Sequence, residues 1–226
     1  MSSEDIPTLF ETCTPREDVL AGTLDGDKFA ASLSAVAYES EDTPDVYADT
    51  EQFFDKTFPT DGLKTLLTTL LERFNASLSG ADYSGLPGVL SLDTTFGGGK
   101  THNQIASLHI ANSPHTYSGF DQFVEDASLI DEYAQYVEDG RGVNTAVFVG
   151  THVSAMSARC DRDDVGAPET NTMWGEIAYQ LFGQDGYEQF KQADQERQPP
   201  GKGEIKKLLE LSDAPSLILI DEIAAY

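Results

Sequence analysis

The sequence predicts an α/β fold: a mainly parallel sheet flanked by helices and preceded by a helical region over 1–80. Three observations carry this. Apolar residues recur at helical spacing through the first part of the chain. From Gly80 onward, short apolar runs of strand type alternate with helical patterns. Two of those runs end in polar residue types that gather at the carboxyl edge of a parallel sheet. The 226 residues suffice for one ordinary domain, or one domain with a helical appendage.

Taken in order, Phe29, Leu33, Val36 and Ala37 repeat helically after the turn Asp25-Gly26-Asp27, and Glu39 to Asp45 is a polar connection. Leu63, Leu66, Leu67, Leu70, Leu71 and Phe74 form one apolar stripe of a helix entered through Pro59-Thr60-Asp61. Tyr47, Phe53, Phe54 and Phe58 are expected to pack this helical lobe. A second region, 81–226, opens with the Gly/Pro turn Asp82 to Gly88 and a short strand, Val89-Leu90-Ser91-Leu92. Helices are expected from Thr101 to Ala111, Phe120 to Val137, Thr172 to Phe182 and Glu204 to Leu211, with strands at Asn144–Val149 and Leu217–Asp221. Ala158 to Asn171 reads as a polar loop.

Between the first strand and the helix after it lies Asp93-Thr94-Thr95-Phe96-Gly97-Gly98-Gly99-Lys100-Thr101-His102. A glycine loop ending in Gly-Lys-Thr lets backbone N–H groups wrap phosphates. The next helix adds its positive end, and the lysine reaches the β- and γ-phosphates. Thr94 stands where the usual pattern has its first glycine. Nucleotide contacts are expected at Thr95, Phe96, Gly97, Gly98, Gly99, Lys100, Thr101 and His102. The second motif is Leu217-Ile218-Leu219-Ile220-Asp221-Glu222, read as a buried parallel strand delivering carboxylates to the same sheet edge. Thr101 and Asp221 are the expected Mg²⁺ contacts, and Glu222 is the expected catalytic group that polarises the attacking water. Together the two motifs describe a P-loop NTPase-type core that binds a nucleotide with Mg²⁺, with adenine and guanine left open; ATP is what the family resemblance given below implies.

Composition narrows the partners. There are 39 Asp and Glu against 14 Lys and Arg, a net charge of −25, and the acids are spread along the whole chain. Screening in concentrated salt relieves the self-repulsion of such a surface, so a halophilic source is the simplest reading. A large direct nucleic-acid footprint is disfavoured, because phosphate binding needs clustered cations. Cys13 and Cys160 form neither a disulfide framework nor a zinc motif. The start, MSSEDIPTLF, lacks the features of a secretion signal, and no apolar run approaches membrane-spanning length; a cytoplasmic protein with no membrane association is expected.

Other polar residues read more plainly. His109, His115 and His152 lack metal spacing and are expected to be structural; His102 reads either as a phosphate or partner contact or as a helix-surface residue. Asp93 is either a turn stabiliser or a water- or Mg²⁺-positioning group. Trp174, Ile177, Tyr179 and Leu181 are expected to pack on the sheet. Lys202, Lys206 and Lys207 are expected to pair with nearby carboxylates.

The segments FGGGKTH, WGEIAYQLFG (Trp174 to Gly183) and LILIDEIAAY resemble the domain-of-unknown-function 499 family of AAA+-like ATPases. CTPREDVLAG, FFDKTFPTDGLKTLL and PPGKGEI resemble its amino-terminal region, so the likeness spans essentially the whole chain. It implies that Lys100 and Thr101 contact phosphate and Mg²⁺, and that Asp221 and Glu222 are the Walker B pair. It also implies large proteins encoded beside DNA methyltransferases or helicases in phage-defence-like islands, hence an indirect DNA association through other proteins. Members continue beyond the Walker B strand, into a strand that lies between it and the phosphate-loop strand. The fold is therefore expected to be incomplete after Walker B, with hydrolysis awaiting a missing C-terminal half or a partner subunit. A fragment is favoured over a split subunit or a relic. The alternative is a non-hydrolysing nucleotide-binding or interaction fragment.

Overall fold

The computed structural model describes residues 17–22, 31–41, 43–93, 99–114, 117–153, 157–158 and 166–226. Two compact units are present, Met1–Ala31 and Ser32–Tyr226. The first contributes one short described helix, α1 (Glu17–Leu20).

The second unit is mixed α/β. It begins with α2 (Leu33–Ala37), α3 (Asp45–Ala48) and α4 (Thr50–Asp55), then the long α5 (Asp61–Ser79). The Thr60 hydroxyl caps α5 by accepting from Leu63 N–H, and Gly80 ends it in the left-handed conformation that a side chain would resist. The whole expected stripe, Leu63 to Phe74, is buried. It packs on α6 (Lys100–Asn112) and α7 (Ser128–Glu138). The expected helix from Phe120 is interrupted: a 3₁₀ turn at Phe120–Gln122 precedes α7, and Phe120 and Phe123 turn inward onto Phe54.

The sheet has two parallel strands, β1 (Asn144–Val149) and β2 (Ser216–Asp221), paired Asn144 to Ser216 through Val149 to Asp221. Their crossover runs through α8 (Met173–Gln195) and α9 (Lys202–Leu209). Sequence reading ended the first of these helices at Phe182. There the backbone leaves helical geometry, with Gly183 at φ 59°, and a second helical arm follows to Gln195. A straight helix would separate Thr172 from Asp194 by about 33 Å, at 1.5 Å per residue. Instead the Asp194 carboxylate accepts from Thr172 N–H at 2.9 Å, so the arms form a hairpin. The close approach needs glycine twice: a Cβ on Gly175 would lie 2.2 Å from Asp194 Oδ1, and one on Gly186 would lie 2.1 Å from the Ala178 carbonyl oxygen. Ile177, Ala178, Leu181 and Phe190 of this hairpin bury Ala146 and Phe148, with Trp174 packed at the margin.

Three expectations fail. Val89–Leu92 takes no part in a sheet, and Val89 is 88 % exposed. A lone strand leaves its peptide groups to water, and neither β1 nor β2 pairs with it. The LILI run is not buried on both faces. Leu217 and Leu219 are covered, whereas Ile218 and Ile220 are 42 % and 39 % exposed, because the α8 layer lies over β1. Phe58 does not pack the helical lobe; it is 80 % exposed, although Phe53 and Phe54 are buried.

Candidate functional site

The residues expected to act together come from α6 and the end of β2. Gly99 enters α6 at φ 72°, a left-handed cap that favours glycine, and Lys100 and Thr101 occupy the first turn. The Thr101 hydroxyl donates to Asp221 Oδ2 at 2.7 Å. The other oxygen of Asp221 accepts from Glu222 N–H at 3.0 Å. The expected glycine-loop helix and the expected acidic strand therefore meet across 120 positions of sequence. Thr95, Phe96, Gly97 and Gly98 lie outside the described residues, as do Thr94 and His115. Among the described residues no His/Cys/Asp/Glu group of metal-binding size occurs. A hydroxyl and one carboxylate suit Mg²⁺ all the same, since that ion keeps several waters and takes phosphate oxygens alongside few protein ligands.

Glu222 is exposed, and its backbone is held by the Asp221 carboxylate. It sits at φ 50°, ψ 33°, a left-handed position that is costly for a residue with a Cβ. Its carbonyl oxygen lies over Gly150 so closely that a Cβ there would be 2.2 Å away. The turns after the two strands, Gly150–His152 and Ile223–Ala225, pack on each other. Nothing local in the sequence marks Gly150 for this contact, because the end of β2 is distant along the chain.

Two residues that sequence reading passed over hold the site from behind. Gln104 donates from Nε2 to the Ile220 carbonyl at 3.1 Å, one residue before Asp221, while its buried Oε1 has no partner among the described residues. Thr57 donates its hydroxyl proton to the Phe53 carbonyl at 2.6 Å, so its oxygen accepts the Nε2–H of His102 at 2.9 Å. The half-buried His102 ring stacks on Phe53 with centroids 4.5 Å apart. Seven residues on, His109 donates from Nε2 to the Tyr47 carbonyl and takes the Thr50 hydroxyl proton on Nδ1, both at 2.8 Å. Both imidazoles are pushed below their ordinary pKa by burial, and for His102 the neighbouring His109 adds to this. The expected structural role of His109 is the one observed. His152 bonds Ser34 at 2.6 Å.

Away from this edge, the Trp174–Gly183 segment closes the outer edge of β1. Gln180 Oε1 accepts the Val147 N–H at 2.8 Å, and the Tyr38 hydroxyl donates to the Val147 carbonyl at 2.8 Å. Gln180 is itself held by Glu176, whose fully buried carboxylate also accepts the Thr170 hydroxyl. A cavity of about 380 Å³ lies against this outer edge, between Tyr38, Asn112 and Tyr179, and does not include Thr101 or Asp221. Lys206 pairs with Glu210 at 3.5 Å, as expected for that basic cluster.

The family follows from the whole chain. The model of the DUF499 N-terminal domain matches residues 9–226. The chain belongs to the DUF499 family. No curated protein and no solved structure matches this DUF499 chain. Among its described residues no helix is long and apolar enough to cross a membrane.

Proposed function

We propose that this DUF499 domain is a P-loop, AAA+-like core that binds ATP with Mg²⁺ and hydrolyses it in the complete protein. The observation that carries this is the 2.7 Å bond from Thr101 to Asp221. A hydroxyl directly after a Gly-Lys pair, joined to an acid at the carboxyl end of a parallel strand, suits Mg²⁺: Thr101 and Asp221 would hold the ion, which would offset the charge of a bound triphosphate. Thr95 to Gly99 would wrap the phosphates, Lys100 would neutralise the β- and γ-groups, and Glu222 would orient the attacking water. His102 acts indirectly, by anchoring the helix that carries Lys100 and Thr101.

Completion would come at β2. In the parallel register, the outward peptide groups of β1 belong to Thr145, Val147 and Val149, and those of β2 to Ser216, Ile218 and Ile220. Val147 is blocked by Gln180 and Tyr38, and the Ile220 carbonyl is taken by Gln104, whereas Ile218 is exposed. The Ile218 stretch of β2 is then the place where a further strand, from another segment or a partner subunit, would add before the site turns over. Coupling to DNA, through other proteins in a phage-defence setting, belongs to the same proposal. So do a halophilic source and a cytoplasmic location.

The second reading is a domain that holds the nucleotide without hydrolysing it. The exposed Ile218 and Ile220 on β2 favour it. Calorimetry of ATP binding in molar KCl, comparing the native chain with Lys100→Ala, is the first test; equal affinity removes the phosphate-loop assignment. Turnover unchanged by Glu222→Gln removes that residue as the catalytic group.

A further inference from the structure

The cavity of about 380 Å³ at the outer edge of β1 is lined on one side by Thr145 and Val147. Both residues turn their N–H and C=O away from β2, towards that edge. The groups of Val147 are taken, by Gln180 Oε1 and the Tyr38 hydroxyl, each at 2.8 Å. Those of Thr145 have no hydrogen-bond partner among the described residues, and neither has the Asn112 side-chain amide on the opposite wall. A donor and an acceptor side by side on one edge residue call for a ligand with an acceptor next to a donor. A longer strand cannot pair here, because Gln180 and Tyr38 close the edge again at Val147. No lining residue is charged, in a chain of net charge −25. An anion would meet the chain's repulsion with no cation to offset it, and a cation would find no carboxylate in the wall.

We propose that this cavity binds a small uncharged ring compound with an amide-type donor and acceptor side by side, the chemistry shared by nucleobases and lactams. The ligand's acceptor takes the Thr145 N–H, and its donor goes to the Thr145 carbonyl. The Asn112 amide offers a further polar contact, and Leu108, Tyr38 and Tyr179 supply apolar and aromatic wall. The volume lies at the lower end of the range for small-molecule sites, about 300–1,000 Å³, which suits a single ring system. At 1.5 Å per residue, Leu108 and Asn112 lie about 12 and 18 Å along α6 from Lys100. Neither Thr101 nor Asp221 lines the cavity, so this inference stands apart from the phosphate-loop reading.

The test follows backbone amide resonances of the full chain in molar KCl while uracil, valerolactam or uridine monophosphate is added. The Thr145 amide is expected to shift with the neutral probes, with a dissociation constant on the order of 1 mM for ligands of this size, while the Thr101 amide stays in place. Tighter binding of uracil assigns a nucleobase as the natural ligand, and tighter binding of valerolactam assigns a lactam. Uridine monophosphate is expected to bind about tenfold more weakly than uracil, because its phosphate meets the acidic chain. Ala37→Phe fills the cavity from the end of α2 and is expected to abolish the shift. Thr145→Pro removes an outward N–H that β1–β2 pairing does not use, and is expected to weaken binding about tenfold, read at Asn112. The titration of the native chain decides alone if either variant fails to fold. No Thr145 shift with either neutral probe at about 20 mM overturns the inference. So does a shift that persists in a folded Ala37→Phe chain, an equal shift of Thr101, or uridine monophosphate binding as tightly as uracil.

Discussion

The Thr101 hydroxyl and the Asp221 carboxylate, 120 positions apart, share a 2.7 Å hydrogen bond that joins the start of α6 to the end of β2. Asp221 is buried, so removing its donor leaves a charged acceptor short of a partner. Thr101→Val is expected to cost about 1–3 kcal/mol, measured as a loss of denaturant stability without nucleotide. The same variant should also lose the Mg²⁺ dependence of ATP binding. A variant that keeps the Mg²⁺ dependence while losing stability would show the bond to be structural only.

The imidazoles of His102 and His109 tie α4 and its flanks to α6, and burial depresses both pKa values. Unfolded, each group titrates near pH 6.5. Below that value the unfolded chain binds protons that the folded chain does not, so stability falls as pH falls towards the depressed folded values. Above about pH 6.5 the contribution is fully present. Around His109, the Asp49 carboxylate and the Tyr47 carbonyl oppose the shift, and His102 is the facing titratable ring. His109→Gln should flatten the dependence of Tm on pH between about 5 and 6.5. An unaltered slope would assign the acid sensitivity to other groups.

Asp194 is fully buried, and its two oxygens accept from Asn171 N–H, Thr172 N–H, both of those side chains and the Tyr187 hydroxyl. It closes the α8 hairpin and satisfies the amino end of the arm that packs on β1. Burial, with the carboxylate beside it, pushes the Tyr187 hydroxyl up to about 12. Asp194→Ala orphans several donors at once and is expected to destabilise by more than about 3 kcal/mol, read from chemical unfolding. Gly175→Ala should approach the same loss, because its Cβ would displace the carboxylate. A loss under about 1 kcal/mol in both variants would mean that the hairpin is held mainly by its apolar face.

How far the sequence was readable follows the range of each interaction. The α5 stripe and the β1 run were legible because periodicity and capping are local signals. The pairing of Thr101 with Asp221 was legible because two motifs require each other chemically. The second arm of α8 was not: its polar run, Gly183 to Gln195, hides Tyr187 and Phe190, and its hairpin depends on the Thr172–Asp194 bond and the close approach of Gly175 to Asp194, both between residues far apart in sequence. Thr57, Gln104 and Gly150 matter only through neighbours distant in sequence, so no local pattern marks them. Val89–Leu92 has strand chemistry without a partner strand, and pairing rather than propensity makes a sheet.

The same limit applies to charge, whose effect depends on the solvent as much as on the chain. With 39 acidic and 14 basic residues, like charges are close over most of the surface. At about 0.1 M salt they interact over roughly 10 Å, and at about 1 M over only 3 Å. Folding brings these carboxylates together, so screening stabilises the folded state more than the extended one. Raising KCl from about 0.1 M to about 2 M should increase Tm by on the order of 10 °C, equivalent to a few kcal/mol for a chain of this size. Equal concentrations of NaCl should act alike, since screening depends on ionic strength. A Tm that is flat across this range would show that the acidic surface carries no such penalty, and the halophilic reading would fall with it.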